Sequence, residues 1–289
     1  MVSFNFSAIG TEWQIDINQD ISKEKEAELL LAIQKRIDEF DKIYSRFRDD
    51  SLVMKISREV GDFVFPDDAQ KIFELYHELY VATNGLFTPF VGQMLSDAGY
   101  DSTYSLTQKK ELEHPPFWEQ AITYSYPNLL VKIPTLLDFG AGGKGYLIDI
   151  VAAVIETHGI VDYCIDAGGD ILHKGKHPMK VGLENPEDFS EVVGVYMLKN
   201  GSLCGSAGNR RVWGNFTHII NPTTRSSPKN ILAVWVYASN ALLADSLATC
   251  LFFVEANRLM KEYDFEYMII RDDKSIQKSK NFAAEIFIQ

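Results

Sequence analysis

The sequence predicts an α+β fold of mostly antiparallel sheets with helices packed against them, on three observations. Two segments in the first third carry apolar residues at helical spacing, hairpin-like strands dominate the second half, and no regular strand–helix–strand alternation runs through the chain. In order, residues 4–18 alternate as a strand. Residues 23–44 place Leu29, Leu30, Ile33, Ile37, Phe40 and Ile43 on one helical face. Residues 67–84 do the same with Ile72, Leu75, Tyr76, Leu79 and Tyr80, and Gly85 supplies a stop before the loop 85–89. Residues 101–128 are polar and contain proline, so they read as a connector or insert. A strand at 129–133 follows, then a strand at 136–145 that runs into a glycine-rich loop, a helix at 146–157 and a strand ending at Asp166. Strands are expected at 180–183, 192–198, 218–220 and 232–238, a helix at 240–254, and a last pair of strands at 266–271 and 282–287.

With 289 residues, 46% hydrophobic and 24% charged, the chain has material for one large core or two intimate halves, roughly 1–128 and 129–289, with no separate linker. A formal charge of −12 without a basic stripe argues against nucleic acid as a partner. An anionic ligand would need local donors and a metal. Cys164, Cys204 and Cys250 lie in apolar stretches without metal-type spacing, so buried free thiols are expected. The N-terminal residues lack a basic region, an apolar region and a lipobox cysteine, which points to the cytoplasm unless a leader was trimmed. Residues 231–254 are apolar, but Ser239, Asn240, Asp245, Ser246 and Thr249 interrupt them before about 20 clean residues accumulate, so a strand and a buried helix are expected instead of a membrane span.

The run Leu137-Asp138-Phe139-Gly140-Ala141-Gly142-Gly143-Lys144-Gly145-Tyr146 contains G-x-G-x-x-G between a strand and a helix, with Asp162 and Asp166 about 20 residues on. A helix N-terminus behind such a loop offers free N–H groups to a phosphate. Against a dinucleotide-binding parallel fold stands the lack of βαβ units around it, and against a P-loop stands Gly145 after Lys144. Glycines also simply make turns. Asp245 and Thr249, four apart on a helix, present two hard oxygens on one face, suited either to Mg²⁺ or to capping and burial.

Further motifs follow in order: Ile165-Asp166-Ala167-Gly168-Gly169-Asp170, His218-Ile219-Ile220-Asn221-Pro222 and Ala244-Asp245-Ser246-Leu247-Ala248-Thr249. Earlier come Ile9-Gly10-Thr11-Glu12-Trp13, the segment 41–51 (D-K-I-Y-S-R-F-R-D-D-S) and the loop 85–92. Together they resemble the FAD:protein FMN transferase family, also called the ApbE family, over nearly the whole chain. The resemblance implies a T-fold-like α+β architecture with FAD in a cleft between two halves. It also implies Mg²⁺-dependent transfer of FMN from FAD to a threonine hydroxyl of a target protein, with release of AMP. Carried over by position, it makes Ala141 (through its carbonyl), Asp245 and Thr249 metal ligands, and His218 and Asp245 catalytic. Ile9, Phe47, Leu86, Phe87, Thr88, Asp138, Lys144, His218 and Ile220 become contacts to FAD, with Lys144 near the phosphates and Phe47 against the flavin. Without the resemblance, Asp138 and Lys144 read as surface charges, and Phe47, Phe87 and Ile9 as core.

The chain departs from the family pattern at Ile9 (Met), Thr88 and Asn221 (both Asp) and Arg225 (Gly), and 204–209 (C-G-S-A-G-N) only approximates T-S-G-D. Three activities share such a site: transfer to a protein, hydrolysis of FAD to FMN and AMP, and flavin binding without turnover.

Overall fold

The computed structural model describes residues 2–287 and is organised by an open eight-stranded sheet in which every neighbouring pair of strands is antiparallel. The strand expected over 4–18 is a hairpin, β1 (Val2–Ala8) and β2 (Thr11–Ile17). Ile9 and Gly10 form its two-residue turn with φ of 44° and 76°. Both turn residues at positive φ give the right twist for a hairpin, but a β-branched residue there is strained, so the alternation hides the turn.

Helix α1 (Lys23–Tyr44) starts where the Ser22 side chain accepts from Lys25 N–H and buries Leu29, Ile33, Phe40 and Tyr44. After α2 (Leu52–Ile56) and β3 (Gly61–Val64), α3 (Ala69–Ala82) buries Ile72, Phe73, Tyr76 and Leu79. A short 3₁₀ turn, Pro89–Val91, leads into α4 (Gly92–Asp97). The expected connector 101–128 is not featureless: α5 (Trp118–Ala121) and β4 (Ile122–Ser125) lie in it, and β4 pairs with β5 (Asn128–Val131), which also pairs with β3. The segment 136–142 is irregular rather than a strand, and α6 (Gly143–Thr157) begins inside the glycine run.

Strands β6 (Tyr163–Ala167) and β7 (Asp170–Lys174) make a tight hairpin, followed by β8 (Met179–Glu184), β9 (Val192–Leu198) and β10 (Gly201–Ala207). Two short strands, β11 (Val212–Trp213) and β12 (Phe216–Thr217), pair with each other, and the strand expected at 218–220 is irregular chain just beyond them. Then come β13 (Ile231–Ala238), α7 (Ala241–Cys250), α8 (Ala256–Leu259), β14 (Glu266–Arg271), β15 (Ile276–Lys278) and β16 (Ala284–Ile286).

The large sheet runs β1-β2-β6-β7-β10-β13-β14-β15, so strands from both ends of the chain share it. Alternation along its strands sends residues to two cores. Ile15, Ile165, Val234, Val236 and Ile269 face the helices α1, α3, α6 and α7. Ile171, Ala233, Trp235, Met268 and Ile270 face the small sheet β16-β9-β8, meeting Val181, Leu183 and Tyr196. This antiparallel topology excludes the parallel dinucleotide-binding fold that the G-x-G-x-x-G run allowed. The three cysteines are free and buried, and among the described residues no helix is long and apolar enough to cross a membrane.

Helix α7 is held at its start by two residues. Asn240 accepts from Leu243 N–H at 2.8 Å, and the half-buried Asp149 carboxylate of α6 accepts from Ala241 and Leu242 N–H, both at 2.9 Å. Burial pushes the Asp149 carboxyl up to about 6 despite those donors. Asp149→Ala removes two charge-assisted bonds from the end of an apolar helix and leaves both donors buried, a loss of about 2–3 kcal/mol. A thermal melt should show a fall of about 3–5 °C in Tm; an unchanged Tm would mean that α7 is fixed by its apolar face alone.

Candidate functional site

The loop before α6 is pinned from several sides. Asp138 N–H donates to Pro89 O at 2.7 Å, and its carboxylate accepts from Gly140 N–H at 2.7 Å and from Arg46 Nε. Arg46 is buried, and its other arm donates to Tyr100 O at 2.7 Å. Tyr76 OH donates to Phe139 O at 2.8 Å. Asp138 is therefore the half-buried partner of a buried arginine, not the surface charge its local sequence suggests.

The glycines have a packing role. A Cβ on Gly145 would overlap the Ala241 carbonyl and come within 2.8 Å of Asp245 Cβ, and one on Gly142 would overlap Ser246 Oγ. Their absence lets α7 lie directly against the start of α6. Across that contact, Gly145 N–H donates to Asp245 Oδ2 at 2.9 Å, and Thr249 Oγ1 donates to Ala141 O at 3.4 Å. Asp245 is buried, and its carboxyl is pushed up by burial and by Asp170, against the pull of Lys144 and the Gly145 N–H.

Lys144 is not a free surface charge either. It pairs with the fully buried Asp170, which also accepts from Gly205 N–H at 2.9 Å. Burial works against its charge, but Asp170 and Asp245 outweigh it and raise the ammonium pKa, so the group stays protonated.

His218 stands in the irregular chain after β12, half-buried, its Nδ1 buried and without a partner among the described residues. Burial, then Arg211 and Lys144, push its pKa down to about 4, which keeps the ring neutral at pH 7. Phe47 stacks on Tyr104 with centroids 5.4 Å apart and rings 6° from parallel, and the Arg46 guanidinium lies 4.2 Å from its centre. Ile220 is buried with Trp213, Phe216 and Tyr100. Phe87 is buried against Tyr76, with centroids 4.7 Å apart. Thr88 caps the 3₁₀ turn, its hydroxyl accepting from Phe90 N–H at 3.2 Å.

These segments surround one cavity of about 1090 Å³. Ile9, Phe47, Leu86, Phe87, Thr88, Asp138, Ala141, Lys144, His218, Ile220, Asp245 and Thr249 all line it, although they come from segments spread over most of the chain. The cavity takes lining residues from both 1–128 and 129–289. Asn221 and Arg225 do not line it. Asn221 Oδ1 instead accepts from Thr223 and Thr224 N–H at 2.9 and 3.0 Å, in a turn where Arg225 takes φ of 55°. Those two departures belong to a neighbouring turn.

Sequence reading assigned no role to Arg46, Arg211 or Asp170, all at or beside the cavity wall. For Asp170 a signal existed, since it ends the Ile165–Asp170 motif. Nothing local marks Arg46, whose carboxylate partner lies 92 residues away.

The donor set fits a hard cation. Ala141 O, Thr249 Oγ1 and the Asp245 carboxylate are all oxygens, and the 3.4 Å between the first two compares with about 3.0 Å for adjacent ligands of an octahedral Mg²⁺ at 2.0–2.1 Å. Among the described residues no three His, Cys, Asp or Glu side chains cluster as a cage for a softer metal.

The molecule resembles known proteins along most of its length. It is 25% identical over 299 aligned positions to the FAD:protein FMN transferase of Escherichia coli K12, spanning 93% of this chain and 84% of that protein. It superposes on the ApbE protein of Thermotoga maritima with a TM-score of 0.85 at 20% identity, covering 97% of each chain. On the flavin transferase ApbE of Vibrio cholerae the TM-score is 0.80 at 21% identity, again covering 97% of each. The ApbE family profile itself matches residues 9–269, from the hairpin turn into β14, taking in every segment that lines the cavity, and the chain belongs to the ApbE family.

Proposed function

We propose that this protein is a transferase that moves FMN from FAD to a threonine hydroxyl of an acceptor protein, releasing AMP, with Mg²⁺ held by Ala141 O, Asp245 and Thr249. The observation that carries the reading is the gathering of these oxygens, Lys144 and a neutral His218 on one cavity. Its volume of about 1090 Å³ lies just above the roughly 300–1,000 Å³ of ordinary ligand sites, as suits a dinucleotide.

Bound Mg²⁺ supplies charge neutralisation to the pyrophosphate and to the departing AMP. The chain does the rest. Arg46 and Pro89 fix Asp138 and so the shape of the loop that carries Ala141. Lys144, kept charged by Asp170, supports the phosphates. His218, on the cavity wall, accepts the threonine proton as the threonine oxygen bonds to the FMN phosphorus and the bond from that phosphorus to the AMP oxygen breaks.

The protein should be incubated with FAD, Mg²⁺ and a soluble protein extract, then separated under denaturing conditions. Flavin fluorescence should stay on a protein band, mass spectrometry should place FMN on a threonine, and EDTA should abolish both. Free FMN and AMP with no labelled band would mean hydrolysis, and intact FAD would mean binding without turnover.

His218→Ala should lower kcat by about 10²–10⁴-fold, the range for loss of a positioned base. The low pKa is directly measurable. An NMR titration of the ligand-free protein should find the His218 ring neutral down to about pH 5, whereas a midpoint near the ordinary 6.5 would contradict the assigned environment.

A further inference from the structure

The cavity extends beyond the residues assigned to FAD and the metal, to a strand edge that is unpaired among the described residues. β8 is the end strand of the β16-β9-β8 sheet, paired on one side with β9. Among the described residues no backbone group elsewhere in the chain bonds to its other side. Met179, Lys180, Val181, Gly182 and Glu184 all line the cavity. Their side chains alternate between the two faces of the strand: Val181 and Leu183 enter the core, while Lys180 and Gly182 are exposed. Lining residues from both faces mean that the strand borders the cavity with its edge. A free edge turns the N–H and C=O of every second residue outward, a template for an added strand.

The surroundings say what kind of strand would fit. In a chain of net charge −12, Lys180 lies on β8 itself, and Arg210 and Arg211 also line the cavity. Arg210 is matched by Glu184 at 2.8 Å, but Lys180 and Arg211 have no carboxylate partner among the described residues. Arg211 is held by the Tyr100 hydroxyl, its charge left over.

We infer that the free edge of β8 is the acceptor-docking site. An extended, acidic segment of the acceptor protein adds as a further strand beside β8, its backbone bonded to the edge and its acidic side chains against Lys180 and Arg211. Strand addition gives affinity through main-chain bonds, and alternate side chains then point into the cavity, which is how one threonine would be delivered to His218 and the phosphorus. The inference rests on the transfer reading above.

The test uses the intact protein and, as probe, a synthetic nine-residue peptide copied from the labelled threonine site found in the extract. Single backbone N-methyl groups are placed at each position in turn. Strand addition predicts an alternating pattern: methylation of every second N–H raises KM for the peptide at least tenfold, the positions between are tolerated, and KM for FAD does not change. Lys180→Glu should raise the peptide KM about three- to tenfold, again without changing KM for FAD. Insensitivity to methylation, sensitivity at consecutive positions, or a rise in KM for FAD with Lys180→Glu would overturn the inference, the last by assigning this end of the cavity to FAD. If no protein is labelled at all, the transfer reading falls, and this inference with it.

Discussion

Asp245→Asn should cut Mg²⁺-dependent turnover of FAD by about 10²–10⁴-fold, while the metal-free protein becomes more stable rather than less. The two effects have one cause. Asp245 is a carboxylate buried beside the buried Asp170, and burial has raised its pKa. A group whose folded pKa is raised favours folding below the unfolded value near 4, and that contribution is lost as pH rises through the folded value. At pH 8 without a cation, the unfolded chain therefore gains from ionising Asp245 more than the folded chain does. Asparagine keeps an oxygen to accept Gly145 N–H and removes the charge. The metal-free variant should gain about 1 kcal/mol or more at pH 8, a rise of roughly 2 °C or more in Tm, and little at pH 4. Mg²⁺ should stabilise the native protein at pH 8 and leave the variant unmoved. Calorimetry with and without Mg²⁺ reads all of this. An equal Mg²⁺ effect on both proteins would place the cation elsewhere.

Gly145→Ala should be as damaging to the site by a different route. The added methyl has to occupy the position of the Ala241 carbonyl, which is backbone at the first residue of α7 and cannot move alone. The helix must shift, and Asp245 and Thr249 move with it. Overpacking of this kind costs about 1–3 kcal/mol, here at the upper end, or roughly 5 °C in Tm, and activity should fall with it. Gly208→Ala is the control, since its Cβ would meet only Ile231 O at an ordinary 3.7 Å. If Gly145 served only to let a phosphate approach, Gly145→Ala would keep its Tm and raise KM for FAD alone.

That contrast shows what the sequence revealed and what it hid. Periodicity located α1 and α3 because their apolar residues recur at helical spacing and face the core. Ordered motifs pointed to residues that the fold brings to one cavity. Pattern failed where the deciding partner is distant or the local residue is atypical. The β1–β2 turn was masked by Ile9, a residue that alternation assigns to a strand. Residues 136–145 look like a strand followed by a loop, but Pro89, Arg46 and Tyr76 pin that chain from outside and α6 starts within it. The glycine run mimics a nucleotide fingerprint, while Gly145 answers to a helix about 100 residues on. Asp138 and Lys144 look like surface charges only until Arg46 and Asp170 are placed beside them.

The most direct test of transfer at this site is a count of products. The protein, FAD, Mg²⁺ and the acceptor recovered from the extract should yield AMP and threonine-bound FMN in a one-to-one ratio, with neither formed in EDTA or by Asp245→Asn. AMP released at the same rate with and without the acceptor, or FMN attached equally well by Asp245→Asn, would contradict it.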